Sequence, residues 1–346
     1  MNSEFDRIRA LRAVLPEGGP HVVVGNGDDA AVLRIPGDVV VTTDALVEGV
    51  DFDARFPWDA VGRKAVGANA SDLAAMGADP VGFLLVVAAP ADLREDAWAG
   101  LAAGAADAAR AHALPCHGGD LSSTKGPVVV CITALGSVPP GSALVRSGAR
   151  PGDGVWISGT LGGAAAGLKR TAAFEWRPEG VQAALASVSS AEERDALARQ
   201  LCPVARLALG RALRGVATAC IDTSDGTLQD LCHVLAASGV GAALEEDRLP
   251  RHPALAALPP DEARRLAWAG GEDFELLFTA PDAAAVERAA RAAGTPVARV
   301  GTITRDRALV LHGMHAGWED VLAMDAGGTP PSPGLAALRG WRHFGG

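Results

Sequence analysis

The fold is decided by residues 59–88, which read DAVGRKAVGANASDLAAMGADPVGFLLVVA. Apolar side chains recur at helical spacing from Asp59 to Met76, and Gly77 followed by Pro80 ends that helix. The apolar run 81–88 then predicts a buried strand. A helix that passes through a short turn into a strand indicates a mixed class, α/β or α+β.

The flanking sequence continues this alternation of helices and strands. Strands are predicted at 39–43, 128–138, 154–158, 217–221, 241–245, 274–279 and 297–303, and helices at 92–113, 163–170, 228–237 and 283–293. Asp92 is the expected cap of its helix. Prolines and glycines crowd residues 139–152, so we predict an N-terminal domain of residues 1–147 and a C-terminal domain of residues 148–346.

Composition excludes several classes of protein. The chain has 346 residues and a formal net charge of −10, which disfavours nucleic acid and anionic membrane surfaces as partners. Its apolar runs are too short to span a bilayer, and its start lacks the apolar stretch of a signal peptide. The five cysteines include no C-x-x-C pair, so we expect neither disulfides nor a zinc ribbon. A cytoplasmic protein is expected.

Common phosphate-handling and hydrolytic motifs are missing from the sequence. No Gly-Lys dipeptide occurs, which excludes a Walker A loop, and no His is followed by Arg-Asp as in protein kinases. Neither H-E-x-x-H nor G-x-S-x-G is found. A nucleotide-dependent reaction would therefore need another kind of site.

Aspartates beside glycine or hydroxyl residues form the main chemical signal. The aspartates are Asp28, Asp44, Asp72, Asp120, Asp222 and Asp225, and the hydroxyl residues beside them include Thr42, Thr43 and Ser224. Oxygen ligands of this kind suit Mg²⁺ far better than zinc. Each aspartate alone has an ordinary explanation as a turn or cap residue. Asp72 differs, because it follows Asn69 and Ser71 inside an otherwise apolar helix, where a solvated face would favour Glu, Lys or Arg.

Three further features of the sequence are compatible with anion binding or with a place in the lining of a binding site. The turn SGTLGG (158–163) leads from a strand into a helix, where backbone N–H groups can bind an anion; close helix packing explains it equally well. The stretch GGEDFE (270–275) puts three carboxylates before an apolar strand. Arg146 lies in the turn-rich zone, where it is either a phosphate clamp or a surface arginine. The pair Gly119-Asp120 is expected in a loop.

Eight stretches together resemble the thiamine-monophosphate kinase family, within the superfamily of aminoimidazole ribonucleotide synthetase. They are GDDAAVL (27–33), TTDALVEGV (42–50), ASDLAAMGADP (70–80), HGGDLSS (117–123), LVRSGARPGD (144–153), SGTLGGAAAGL (158–168), IDTSDG (221–226) and GGEDFELLF (270–278). The likeness extends over nearly the whole chain. It implies a two-domain α/β (α+β) fold, with an N-terminal mixed-sheet domain that binds ATP and magnesium and forms the barrel of a homodimer, and a C-terminal α/β domain.

The resemblance also implies a reaction and residues for it. Phosphate would pass from ATP directly to thiamine phosphate, with no enzyme nucleophile and with several Mg²⁺ ions. Expected metal ligands are Asp28, Thr42, Thr43, Asp44, Asp72, Asp120, Asp222 and Asp225. Expected ATP contacts are Gly119, Asp120, Arg146 and Ser224, and Glu272 would contact thiamine phosphate. In a chain of net charge −10, magnesium is a physically reasonable way to neutralise several phosphates.

Two positions depart from the family pattern. V-E-G-V-H-F of the family reads VEGVDF (47–52) here, so Asp51 replaces a histidine expected at the substrate. A carboxylate there would need Mg²⁺ or an arginine to offset its repulsion of phosphate, or would bind the cationic thiazolium. An aromatic residue expected to stack on the substrate aligns with Leu338, and Trp341 is the alternative for that contact.

Two other kinds of protein remain open on the residues alone. A related ATP-dependent ligase would lack this form of the TTDALVEG and SDLAAMGADP motifs, and a selenophosphate synthetase would need a reactive cysteine earlier than Cys116. A non-catalytic nucleotide-binding protein is suggested only by Asp51 and Leu338. Incubation with ATP, Mg²⁺ and thiamine phosphate distinguishes the three.

Overall fold

A computed structural model describes residues 4–174, 179–313 and 319–323, and these fall into two compact units. The first unit takes its described residues from 4–73, 78–141 and 167–205; the second takes them from 74–77, 142–166 and 206 onward. The predicted boundary at residues 147 and 148 lies near the division after Gly141 and stays a prediction. In the described part of the chain, no helix is long and apolar enough to cross a membrane.

The first unit is built on a four-stranded sheet. Its elements are α1 (Glu4–Val14), β1 (Val22–Val24), β2 (Val32–Leu33), β3 (Asp38–Val47), α2 (Trp58–Ala75), β4 (Asp79–Pro90), α3 (Glu95–Ala111), β5 (Cys116–Thr124) and β6 (Val129–Val138). Residues 167–171 of helix α4 (Gly163–Thr171) also belong to it, as do α5 (Val181–Ala186) and α6 (Ala191–Leu201). The strand order is β3-β6-β4-β5, with only β4 and β5 parallel.

The two faces of this sheet differ in burial. Side chains alternate along β4, so that Phe83, Leu85 and Val87 are buried whereas Leu84 and Val86 are exposed. Strand β3 has the same division, with Val40 and Leu46 buried and with Val39 and Val41 exposed. One face therefore belongs to the core of the unit, and the other is an apolar surface.

A seven-stranded mixed sheet forms the second unit. Its elements are β7 (Gly154–Ser158), α7 (Leu207–Ala212), β8 (Ala219–Asp222), α8 (Thr227–Ser238), β9 (Gly241–Glu245), α9 (Pro260–Ala269), β10 (Leu276–Ala280), α10 (Ala283–Ala293), β11 (Val297–Thr304), β12 (Ala308–His312) and β13 (Glu319–Ala323). The order is β13-β12-β9-β11-β7-β10-β8, with β12 and β9 parallel and the other pairs antiparallel. Ile157, Ile221, Leu277 and Trp268 lie in its core.

Most predicted elements are confirmed, and two predictions about local structure are wrong. The N-cap of α3 is Arg94 and not Asp92, because the helix begins three residues later than expected. Gly119 and Asp120 lie in strand β5 and not in a loop. A Cβ on Gly119 would lie 1.8 Å from the Leu85 carbonyl oxygen, so glycine here permits a close approach between parallel strands. Glycine beside aspartate is typical of loops, and only the contact with Leu85 shows why a glycine is needed in this strand.

Candidate active site

Two acidic stretches predicted to carry chemistry meet in the second unit. Residues 222–226 connect β8 to α8, and residues 270–275 precede β10. The N–H of Glu272 donates to the Ser224 carbonyl oxygen at 2.8 Å, and the N–H of Phe274 donates to the Thr223 carbonyl oxygen at 2.9 Å. The Thr223 N–H donates in return to the Glu275 carbonyl oxygen at 2.8 Å. These bonds place the predicted ATP contact Ser224 beside the predicted substrate contact Glu272.

A third aspartate, not predicted from the sequence, organises the 222–226 loop. Asp230 is buried in the first turn of α8, and its carboxylate accepts from the N–H groups of Ser224 (3.1 Å) and Gly226 (3.2 Å). Burial, followed by repulsion from Asp222 and Asp225, raises the pKa of Asp230 to about 8. Its signal in the sequence was an acidic residue in the first turn of a helix, which is commonplace.

Two of the three carboxylates in residues 270–275, those of Asp273 and Glu275, accept hydrogen bonds from groups of the second unit. Asp273 accepts from the N–H groups of Gly162 and Ala164 at the start of α4. Glu275 is fully buried and pairs with Arg206 through two hydrogen bonds, of 2.7 and 2.5 Å. Glu272 is half-buried. The anion bound at the glycine-rich turn SGTLGG (158–163) is therefore the carboxylate of Asp273.

In the first unit, strand β3 and helix α2 bring another predicted group together. The Thr42 hydroxyl donates to Asp72 Oδ2 at 2.5 Å. The N–H of Asp44 donates to Asn69 Oδ1 at 3.1 Å, and Asn69 is held by its own bond to the Ala65 carbonyl oxygen. Asn69 and Asp72, inside the apolar helix α2, thus face the middle of β3.

Thr43 points away from this group. Side chains alternate along a strand, and the Thr43 hydroxyl donates to the Ile132 carbonyl oxygen at 2.9 Å on neighbouring β6. The structure therefore joins Thr42 and Asp72 through side chains and directs the Thr43 hydroxyl elsewhere. The assignment of Thr43 to magnesium stays a prediction.

Asp28 lies in an exposed turn close to the start of β5. Asn26, two residues earlier, donates to the Cys116 carbonyl oxygen at 3.2 Å, and the Asn26 carbonyl oxygen accepts from Arg12 at 3.0 Å. Asp120 lies further along β5, exposed, and accepts from the Ser122 hydroxyl at 2.7 Å. Asn26 and Arg12 were not predicted, since only the fold shows that they anchor the Asp28 turn.

Asp51 and Arg146 are two further predicted residues whose places in the fold are described. Asp51 Oδ2 accepts from the Val47 N–H at 2.8 Å and so closes the turn after β3. Arg146 is exposed, in a segment whose Val145 carbonyl oxygen accepts from the Cys220 N–H. Leu338 and Trp341 lie outside the described residues. The substrate contacts predicted for Asp51, Leu338 and Trp341 stay predictions.

The metal assignments stay predictions as well. Within residues 4–174, 179–313 and 319–323, no three His, Cys, Asp or Glu side chains form a group able to hold a metal ion. The chemistry of the donors nevertheless suits Mg²⁺, because carboxylate and hydroxyl oxygens lie together in each unit. Asp222 and Asp225 also repel the buried Asp230, and a cation would offset that repulsion.

Comparison with known proteins identifies the family. Residues 27–138 match the model of the AIR synthase related protein N-terminal domain, and residues 150–313 match the model of the C-terminal domain. The thiamine-monophosphate kinase of Escherichia coli (strain K12) is 37% identical over 308 residues, which cover 87% of this chain and 88% of the relative. That of Caulobacter vibrioides is 37% identical over 310 residues, covering 86% and 83%.

Solved structures agree with this result. The crystal structure of thiamine-monophosphate kinase from Stenotrophomonas maltophilia K279a has a TM-score of 0.77 and 37% identity, covering 89% of this chain and 95% of that one. The structure of AaThiL complexed with AMPPCP and TMP has a TM-score of 0.71 and 25% identity, and the match covers 99% of both chains. By its two domain matches and its identity over most of its length, this chain belongs to the thiamine-monophosphate kinase family of AIR synthase related proteins.

Proposed function

We propose that this chain transfers the γ-phosphoryl group of ATP to thiamine phosphate, which yields thiamine diphosphate and ADP, and that it does so in the cytoplasm. The observation that carries the proposal is 37% identity over 308 residues with the E. coli kinase. The related AaThiL was solved with AMPPCP, an ATP analogue, and with TMP. The loops that bear the predicted contacts Ser224 and Glu272 are hydrogen-bonded to each other, which supports a shared site for both substrates.

The transfer is direct. A phosphate oxygen of thiamine phosphate attacks the γ-phosphorus, the bond to the β-γ bridging oxygen breaks, and ADP leaves. Gly119, Asp120, Arg146 and Ser224 contact ATP in this proposal, and Glu272 and Asp51 contact thiamine phosphate, with Leu338 or Trp341 against its ring. The task of these residues is to align the two phosphates, because the acceptor already carries its nucleophilic oxygen.

Two side chains near the motifs, Cys116 and His117, belong to types that can act as nucleophiles. Their surroundings support direct transfer instead. Cys116 is buried, and desolvation raises the pKa of its thiol, which keeps the thiol protonated. His117 is buried too, and its Nε2 bonds the Val81 carbonyl oxygen at 3.0 Å. Desolvation lowers the pKa of His117. Both side chains are therefore committed to the fold.

Magnesium would be held by Asp28, Thr42, Thr43, Asp44, Asp72, Asp120, Asp222 and Asp225. When bound, it supplies the positive charge that neutralises the phosphates of both substrates. Asn69 and Asp230 hold the main chain beside Asp44 and Asp225 through hydrogen bonds to backbone N–H groups. These two residues orient ligands without themselves being assigned to the metal.

We also propose that the chain forms a homodimer, with the apolar outer face of the sheet β3-β6-β4-β5 as its interface. Val39, Val41, Leu84 and Val86 expose between 37% and 60% of their surface there. Several exposed apolar side chains on one face of a sheet are typical of an interaction site. A second copy of the chain would cover it.

The proposed activity is tested by incubating the purified chain with ATP, Mg²⁺ and thiamine phosphate and separating the products by chromatography. Thiamine diphosphate and ADP in equal amounts are expected. Nucleotide binding without turnover would instead indicate a non-catalytic protein. ADP that appears without thiamine diphosphate would indicate another acceptor.

A further inference from the structure

The three acidic residues of GGEDFE (270–275) have separate roles in the fold. Glu275 is fully buried against Arg206, and Glu272 is half-buried. Asp273, between them, is 8% exposed and was given no function by the sequence motifs. Its contacts differ from those of both neighbours.

Asp273 binds the start of a helix far away in the sequence. Its Oδ2 accepts from the Gly162 N–H at 2.5 Å, and its Oδ1 accepts from the Ala164 N–H at 2.9 Å. Helix α4 begins at Gly163, so both donors belong to the N–H groups that no carbonyl of the helix can satisfy. The negative charge also faces the positive end of the helix dipole. Both carboxylate oxygens are thus committed to α4.

The backbone on both sides of Asp273 has an unusual conformation. Glu272 has φ of 68° and Phe274 has φ of 49°; within the described ranges, Ala113 is the other non-glycine residue with positive φ. Side chains disfavour this left-handed region, so surrounding contacts must hold the segment in place. The bonds from the Glu272 and Phe274 N–H groups to Ser224 and Thr223 act on one side of it. The carboxylate of Asp273 acts on the other.

We propose that Asp273 is a positioning residue, which fixes Glu272 in its left-handed conformation toward thiamine phosphate by anchoring the segment on α4. The inference rests on the proposed function, since Glu272 is the substrate contact there. Asp273 touches neither substrate. Its effect on catalysis passes through Glu272.

The first test is Asp273→Asn. Asparagine keeps the size of the side chain but loses its charge, and its NH₂ group must then face one of the two N–H donors. We expect KM for thiamine phosphate to rise about tenfold or more, with KM for ATP within about twofold of wild type. Asp282→Asn is the matched control, because Asp282 caps α10 by accepting from the N–H groups of Ala284 and Ala285. If the two variants changed the KM for thiamine phosphate equally, Asp273 would be an ordinary helix cap and the proposal would be wrong.

A double-mutant cycle tests whether Asp273 acts through Glu272. In a Glu272→Gln background, we expect Asp273→Asn to change kcat/KM for thiamine phosphate by less than about threefold, because the residue being positioned has lost its function. Multiplication of the two single effects would overturn the proposal.

Hydrogen exchange on the wild-type protein provides a test that requires no variant. Thiamine phosphate should increase the protection of the Gly162 and Ala164 amides together with those of Glu272 and Phe274, since Asp273 connects them. Protection confined to Glu272 and Phe274 would overturn the proposal. A wild type without turnover refutes the proposed function instead, whereas an active wild type with a normal Asp273→Asn variant refutes only the positioning role.

Discussion

At the scale of single residues, Asp72 is the aspartate with the weakest purely structural explanation. It accepts from the Thr42 hydroxyl at 2.5 Å, and Asp72→Asn keeps an oxygen for that bond while it removes a charge. We predict a fall in kcat by orders of magnitude with an unchanged circular dichroism spectrum. Asp96→Asn, at an exposed ion pair with Arg94, is the control. Near-normal turnover of Asp72→Asn across a Mg²⁺ titration would contradict the magnesium assignment.

Asp51 combines a structural contact with a predicted substrate contact. Asp51→Ala leaves the Val47 N–H without its acceptor, so the free energy of unfolding should fall by about 1 kcal/mol. Asp51→Asn should cost less, because its carbonyl oxygen can accept the same bond. Urea unfolding measures both losses, and equal losses would refute the role of this hydrogen bond.

The predicted substrate contact of Asp51 is tested by Asp51→His, assayed at low Mg²⁺. The KM for thiamine phosphate is expected to stay equal or improve.

Asp230 makes the stability of the metal-free protein depend on pH. Its pKa is raised from 3.8 to about 8 on folding, so the folded state binds more protons between these values. Stability therefore falls as pH rises through this range, by up to about 1.4 kcal/mol per pH unit, and levels off above it. Urea unfolding in a chelating buffer at several pH values measures the slope. Asp230→Asn should flatten it, and an unchanged slope in that variant would contradict the prediction.

At the scale of elements, one buried ion pair connects β7, β10 and the start of α7. Glu275 accepts two hydrogen bonds from Arg206 and one from the Ser158 hydroxyl at 2.5 Å. Removing one partner of a buried pair leaves the other charge uncompensated, so Glu275→Ala should lower the free energy of unfolding by about 3 kcal/mol or more. Arg94→Ala, which removes an exposed pair, should cost less than about 1 kcal/mol. Similar urea midpoints for the two variants would refute the distinction.

At the scale of the whole molecule, the proposed homodimer depends on the outer face of the sheet of the first unit. Val41→Asp places a carboxylate in the apolar interface of both copies, so light scattering should report half the mass of the wild type. Val204→Asp is the matched control, because Val204 is also 60% exposed but lies outside this sheet. An unchanged mass for Val41→Asp would exclude this face as the interface.

Local patterns predicted most of the strands and helices, and the family motifs predicted the residues worth examining. They failed where a residue's role depends on a distant neighbour. Gly119 resembles a turn residue until Leu85 is brought against it, and nothing near Asp230 in sequence distinguishes it from an ordinary residue in a first helical turn. The partner of Glu275, Arg206, lies too far away along the chain for any local pattern to suggest the pair.

The sequence by itself determined the α/β class, the family and the acidic, glycine-rich stretches, because periodicity and motif spacing are local properties of a chain. Tertiary structure decided how the carboxylates divide their work. Long-range packing places Asp273 on the start of α4 and buries Glu275 against Arg206, and it leaves Glu272 half-buried in a left-handed conformation. Three neighbouring acids differ because burial, partner and backbone conformation depend on segments that are far away along the chain.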